Sequence, residues 1–94
     1  MPDLDVVDHT EKHRFEARGE DGTVLGFSQY LLRGDTITFT HTVVADEAEG
    51  HGVGSELVRG ALDAVRGAGL RVVPQCPFVR EYVDRHPEYA DLVD

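Results

Sequence analysis

Apolar residues along this 94-residue chain follow two periods, and the change between them falls near residue 50. The first half has the spacing of strands. "HRFEAR" (13–18) alternates weakly and predicts a first strand, with "EDG" (20–22) as the hairpin turn after it. "TVLGFSQYLL" (23–32) predicts a second strand, with Val24, Phe27, Tyr30 and the leucines as its apolar members. Gly26 interrupts the alternation there and points to a bulge or a close backbone approach. "RGD" (33–35) reads as a turn, not an adhesion motif, and leads into "TITFTHTVV" (36–44), the clearest strand of the chain. Strict alternation puts Ile37, Phe39 and His41 on one face and Thr36, Thr38, Thr40 and Thr42 on the other.

Beyond residue 50 the period becomes helical. Leu57, Val58, Ala61, Leu62 and Val65 predict one face of a helix starting at about Ser55, and "GAG" (67–69) supplies its glycine stop. "LRVVP" (70–74) predicts a short buried strand. "CPFVREYVDRH" (76–86) predicts a second helix with Pro77 in its first turn and Phe78, Val79, Tyr82 and Val83 on one face. "HPEYADLV" ends the chain as a turn or short helix. The expected order is three antiparallel strands, helix, strand, helix, an α+β or α/β sandwich. No repeat or linker interrupts it, so one domain over 1–94 is expected.

Composition narrows the function. Eighteen acidic against nine basic side chains give a formal charge of −9, a poor match for nucleic acid or an anionic membrane and an attraction for amines. Acidity serves solubility equally well. No apolar run approaches the roughly 20 residues of a membrane helix, and the polar start is unlike a signal peptide. The single cysteine, Cys76, excludes an internal disulfide and fits a reducing, cytoplasmic setting. His9, His13, His51 and His86 form no ligand spacing, so no metal is expected.

The most informative stretch is "EGHGVGS" (49–55), where Gly50, Gly52 and Gly54 lie between a strand and a helix start. Glycines let a ligand approach the backbone, and free N–H groups at a helix start attract phosphate. A flexible turn is the plainer alternative. The loop is not a Walker loop, since no lysine follows its glycines, and the even spacing does not fit a dinucleotide fingerprint.

The segment from "EGHGVG" to "HPEY" resembles the acetyl-CoA-binding part of the GNAT superfamily of N-acetyltransferases, and in particular a minimal single-domain family within it. That superfamily's Gln/Arg-x-x-Gly-x-Gly/Ala signature fits at Gly52 and Gly54, while Glu49 stands where Arg or Gln is usual. "HT" (41–42), "VVPQCPFV" (72–79) and "HPEY" (86–89) add to the likeness. It implies a GNAT-like fold with a splayed central sheet and acetyl-CoA as co-substrate. Val43 and Val44 would lie along the pantetheine arm, and Glu49, Gly50, His51, Gly52, Val53, Gly54 and Ser55 around the pyrophosphate. Ser55 serves as a helix cap or a phosphate donor, and Arg59 as a phosphate partner or a solvated surface residue.

Acetyl transfer to an amine needs a proton acceptor and a polarised thioester. His41 is a candidate base or a packed core histidine. Cys76, at the start of the second helix, is a candidate thiolate, acyl acceptor or acid toward the leaving CoA sulfur, or else a small buried apolar residue. The acceptor expected is an amine, a lysine or N-terminus of a protein or a small amine such as a polyamine, and the tight turns between strands make its site either very open or absent. A CoA-binding module without turnover is the alternative, and the chain is expected as a monomer or weak homodimer.

Overall fold

Four strands, not three, precede the long helix. The structure, a computed structural model, describes residues 4–93. In chain order its strands are β1 (Asp5–His9), β2 (Arg14–Arg18), β3 (Val24–Arg33), β4 (Thr36–Val44) and β5 (Arg71–Pro74), with helices α1 (Val53–Gly67) and α2 (Pro77–Arg85). The sheet order is β1-β2-β3-β4-β5, antiparallel throughout except for the parallel β4–β5 pair, which α1 connects. Strands β2 to β4, α1, β5 and α2 match the expected elements; β1 does not follow from the pattern. Its hairpin to β2 turns through a single 3-10 turn (Thr10–Lys12) and His13, at φ +54. A histidine here takes the left-handed conformation that glycine or asparagine usually marks in sequence.

The core is one cluster on one face of the sheet. Phe15 and Ala17 from β2, Tyr30 from β3, and Ile37 and Phe39 from β4 meet Leu57, Val58, Ala61, Leu62 and Val65 of α1. Burying an aliphatic side chain contributes about 1.5–3 kcal/mol, so this helix face is the main stabilising contact of the fold. Gly60 lets α1 ride directly on β1, since a Cβ there would stand 2.7 Å from the Val6 Cβ. Val79, Tyr82 and Val83 of α2 extend the cluster, but Phe78 leaves the expected face and is 42% exposed. Tyr89 fastens the C-terminal turn to α1 through a 2.7 Å bond to Asp63, and burial, helped by this bond, pushes the phenol up to about 12.

Two β-bulges change which residues share a face. In the β2–β3 ladder Ala17 opposes Gly26 and Arg18 opposes Val24, leaving Leu25 as the extra residue. Gly26 also meets the close approach expected of it: a Cβ would lie 3.0 Å from the Val43 carbonyl. In the β3–β4 ladder Tyr30 opposes Phe39 and Gln29 opposes His41, leaving Thr40 as the extra residue. A bulge inverts the inward–outward alternation beyond it. Ile37 and Phe39 therefore face the core, but His41 does not: it is exposed, its ring edge-on to Phe27 at 6.0 Å. Thr42 and Val44 take the inward positions instead. The expectation that His41 shares the face of Ile37 and Phe39 is corrected by this one inserted residue.

Candidate functional site

The inversion at Thr40 coincides with the point where β4 loses a neighbour. β5 pairs with β4 only from Arg71 to Pro74, against Thr36 to Phe39. The Cys76 amide then bonds the Phe39 carbonyl at 2.8 Å, and the chain turns into α2. β4 continues to Val44, and among the described residues no strand pairs with it on that side. Its other side stays paired with β3 as far as Gly26–Val44, and the Ala45 amide donates to the Leu25 carbonyl at 2.8 Å. Hydrogen-bonded residues alternate in an antiparallel ladder, so His41 and Val43 direct their backbone groups to β3. Thr42 and Val44 direct theirs to the side that β5 has left.

That side opens into a cavity of about 390 Å³. Thr42 and Val44 form one wall, Ala48, Glu49, Gly50 and Gly52 a second, and Val53, Gly54 and Ser55 the helix end; Phe78 of α2 closes it. Helix α1 begins at Val53, two residues before the expected start. Ser55 is therefore its third residue, not its cap. The residue before the helix is Gly52, at φ +78, with Gly50 at φ +82 two positions earlier. Both sit in the left-handed region that disfavours a Cβ. No side chain caps the helix, and Glu56 is the first residue whose amide reaches back, to the Gly52 carbonyl at 3.1 Å. The amides of Val53, Gly54 and Ser55 are left without intrahelical acceptors, at the positive end of a 15-residue helix. A Cβ on Gly54 would stand 2.7 Å from the Phe78 ring, so that ring lies directly over the first turn.

The expected site residues divide between two faces of the sheet. Val44, Glu49, Gly50, Gly52, Val53, Gly54 and Ser55 line the cavity; Val43, His51, His41 and Cys76 do not. Val43 is 45% exposed on the opposite face, beside Arg14 and Phe27. His51 is exposed at the tip of the loop. Cys76 is 2% exposed and lies behind the wall, its Sγ 3.4 Å from the Thr42 hydroxyl. That hydroxyl is also 3.0 Å from the hydroxyl of fully buried Ser28. His41 and Cys76 thus lie on opposite sides of β4, and the group that meets both cavity and thiol is Thr42. Arg59 pairs with Glu56 on its own helix at 3.1 Å.

A threonine hydroxyl donates one hydrogen bond and accepts two, so Thr42 can join Ser28, Cys76 and a ligand in one chain. The strand edge offers backbone donors and acceptors to an extended ligand with amide groups. The helix end offers amides to an anion. Glu49 contributes a carboxylate that opposes such an anion, which leaves the backbone amides and the Ser55 hydroxyl as the donors for it.

The family model described as GCN5-related N-acetyl-transferase matches residues 14–92. The solution structure of a GCN5-like protein from Staphylococcus aureus has a TM-score of 0.72 at 23% identity, over 100% of this chain and 91% of that one. The crystal structure of a protein assigned as a phosphinothricin N-acetyltransferase has a TM-score of 0.57 at 22% identity, over 83% of this chain and 54% of the other. At these identities the likeness is one of fold, and this chain spans about half of the second protein. A search of curated proteins gives no match.

Proposed function

Because the chain belongs to the GCN5-related N-acetyltransferase family, we propose that it transfers an acetyl group from acetyl-CoA to an amine, with the cofactor in the fork between β4 and β5. The observation that carries this reading is the coincidence of an unpaired strand edge with an uncapped helix end in one cavity. Thr42 and Val44 offer the pantetheine amides the partners that β5 no longer provides. The amides of Val53, Gly54 and Ser55 hold the pyrophosphate. The other residues expected around the cofactor, Val43 and His51, are given no direct contact.

In the reaction the amine nitrogen bonds to the thioester carbon, the carbon–sulfur bond breaks, and the CoA sulfur needs a proton. Cys76 is too buried to meet a thioester directly, which favours the acid role over an acetyl-cysteine. We assign the proton to the Cys76 thiol, passed through the Thr42 hydroxyl, with Ser28 orienting that hydroxyl. His41 is given the proton of an amine arriving from the other face of β4. The acceptor is an exposed amine, on a protein or a polyamine. The turns at 19–23 and 33–36 are short, and the charge of −9 draws cations.

Thr42→Val keeps the shape of the wall and removes the hydroxyl. Turnover of acetyl-CoA, followed by thiol release with spermidine or a lysine peptide, should fall roughly a hundredfold. The dissociation constant should change less than about threefold, since the backbone contacts remain. Wild-type turnover in Thr42→Val would remove the relay. An acetyl-cysteine trapped in the wild-type enzyme would replace it with the covalent route. Glu49 on the cavity wall favours a second reading, a CoA-binding module without turnover, which is the one left if acetyl-CoA binds and no amine is acetylated.

A further inference from the structure

On the sheet face opposite the helices lies a second cavity, of about 210 Å³. Leu25, Gly26 and Phe27 of β3 form one side, Val43 and Ala45 the other, and Arg14 of β2 supplies its polar end. Among the described residues no carboxylate lines it, although the chain carries eighteen acidic side chains. We infer that this cavity takes the tail of the acceptor, and that the acceptor is an alkyl amine ending in a carboxylate, the arrangement of a C-terminal lysine on a peptide. The inference rests on the acetyl-transfer reading above and selects among the amines that reading allows.

One ring places both ends of such a molecule. Arg14 Cζ stands 4.3 Å over the Phe27 centroid, and the His41 ring meets Phe27 edge-on at 6.0 Å. An amine held at His41 can therefore lay its methylene stem across Phe27 and Val43, which pair directly in the β3–β4 ladder, and bring its far end to the guanidinium. Arg14 is ready for a carboxylate. Its Nε is committed to Glu16 at 2.7 Å and its face to Phe27, which leaves the edge formed by the two Nη groups for an anion. The side chain is only 20% exposed, so it is held in place before a ligand arrives. Arg14 and Arg18 share the single Glu16 carboxylate, which leaves a positive surplus at this point of an acidic chain. His9, the third partner of Glu16, can only add to it. A polyamine would bring another cation to that surplus, whereas a carboxylate answers it.

Turnover of acetyl-CoA with ε-aminohexanoate, with its amide and with spermidine tests this. Wild type should show a kcat/KM about tenfold higher for the acid than for the amide, expressed in KM, the scale of one charge-assisted contact. Arg14→Gln should bring that ratio to about one. Because Arg14 also holds Glu16, Val43→Asp is the companion variant: Val43 is exposed, and a carboxylate there should invert the ratio. A wild type that favours the amide or spermidine, or that uses acid and amide equally, would overturn the subsite while leaving acetyl transfer in place. The wild-type ratio in a folded Arg14→Gln, or in Val43→Asp, would do the same. Acetylation of none of the three amines would remove the transfer reading, and the subsite with it.

Discussion

Gly52→Asp is expected to lower acetyl-CoA affinity at least about a hundredfold while leaving stability within about 1 kcal/mol of wild type. Two unit charges 4 Å apart interact by about 4 kcal/mol near a protein surface, and a pyrophosphate presents more than one charge. One such repulsion already exceeds the roughly 2.7 kcal/mol that a hundredfold change represents. Stability changes little because two effects oppose each other. Gly52 has φ +78, where a side chain costs about 1–2 kcal/mol, although aspartate tolerates the region better than most. A carboxylate beside a helix N-terminus returns about 0.3–1 kcal/mol. Calorimetry and a thermal melt on the same sample separate the two. Unchanged affinity would mean that the pyrophosphate does not sit at this loop.

Acid should weaken the fold through Glu16, far from the cavity. This carboxylate is 1% exposed on the sheet face opposite the helices, between Arg14, Arg18 and His9. Arg18 donates to Oε1 at 3.0 and 2.6 Å; Arg14, at 2.7 Å, and His9 Nδ1, at 3.1 Å, meet Oε2. Burial alone would raise the pKa, but these bonds outweigh it and hold the carboxyl at about 2, below its ordinary 4.5. The unfolded chain therefore takes up this proton first. The stabilisation is complete above pH ~5 and is lost as pH falls through 4.5 toward 2, on the order of 3 kcal/mol in all. Glu16→Gln should cost about 3 kcal/mol at neutral pH, since it leaves two guanidinium groups around a neutral amide. Its stability should then fall less steeply than that of wild type between pH 5 and pH 2.5. Parallel pH profiles for the two proteins would show that Glu16 is not the group responsible.

How much of this was legible in sequence depended on how local each feature is. The helix face of Leu57, Val58, Ala61, Leu62 and Val65 and the β-branched run of β4 declare themselves by period alone, and the glycines declare the helix start that follows them. β1 was hidden because His13, not glycine, closes its hairpin. The facing of the β4 residues was misread by one bulge, since the inserted Thr40 exchanges the faces of His41 and Thr42. Nothing in "TFTHTVV" marks that insertion, because it is set by pairing with β3 and by β5 ending at Pro74. Thr42 had a signal in its place beside His41, but its partners Ser28 and Cys76 come from 14 and 34 residues away. Glu16 was hidden for the same reason: in "HRFEAR" it reads as a solvated residue until His9, on a strand that the pattern did not predict, closes over it.

The fork between β4 and β5, with the helix end beside it, is proposed to be an acetyl-CoA site, and thermal unfolding of the wild-type protein with saturating acetyl-CoA tests that most directly. CoA and ATP serve as comparators, because they separate recognition of the pantetheine arm from attraction of any nucleotide. At about 100 times its dissociation constant the ligand should add about 2.7 kcal/mol, a rise in Tm of roughly 10 °C or more for a domain of this size. A rise with acetyl-CoA and CoA but not with ATP is the predicted result. No rise with saturating acetyl-CoA would contradict it, leaving the glycines to serve the turn alone.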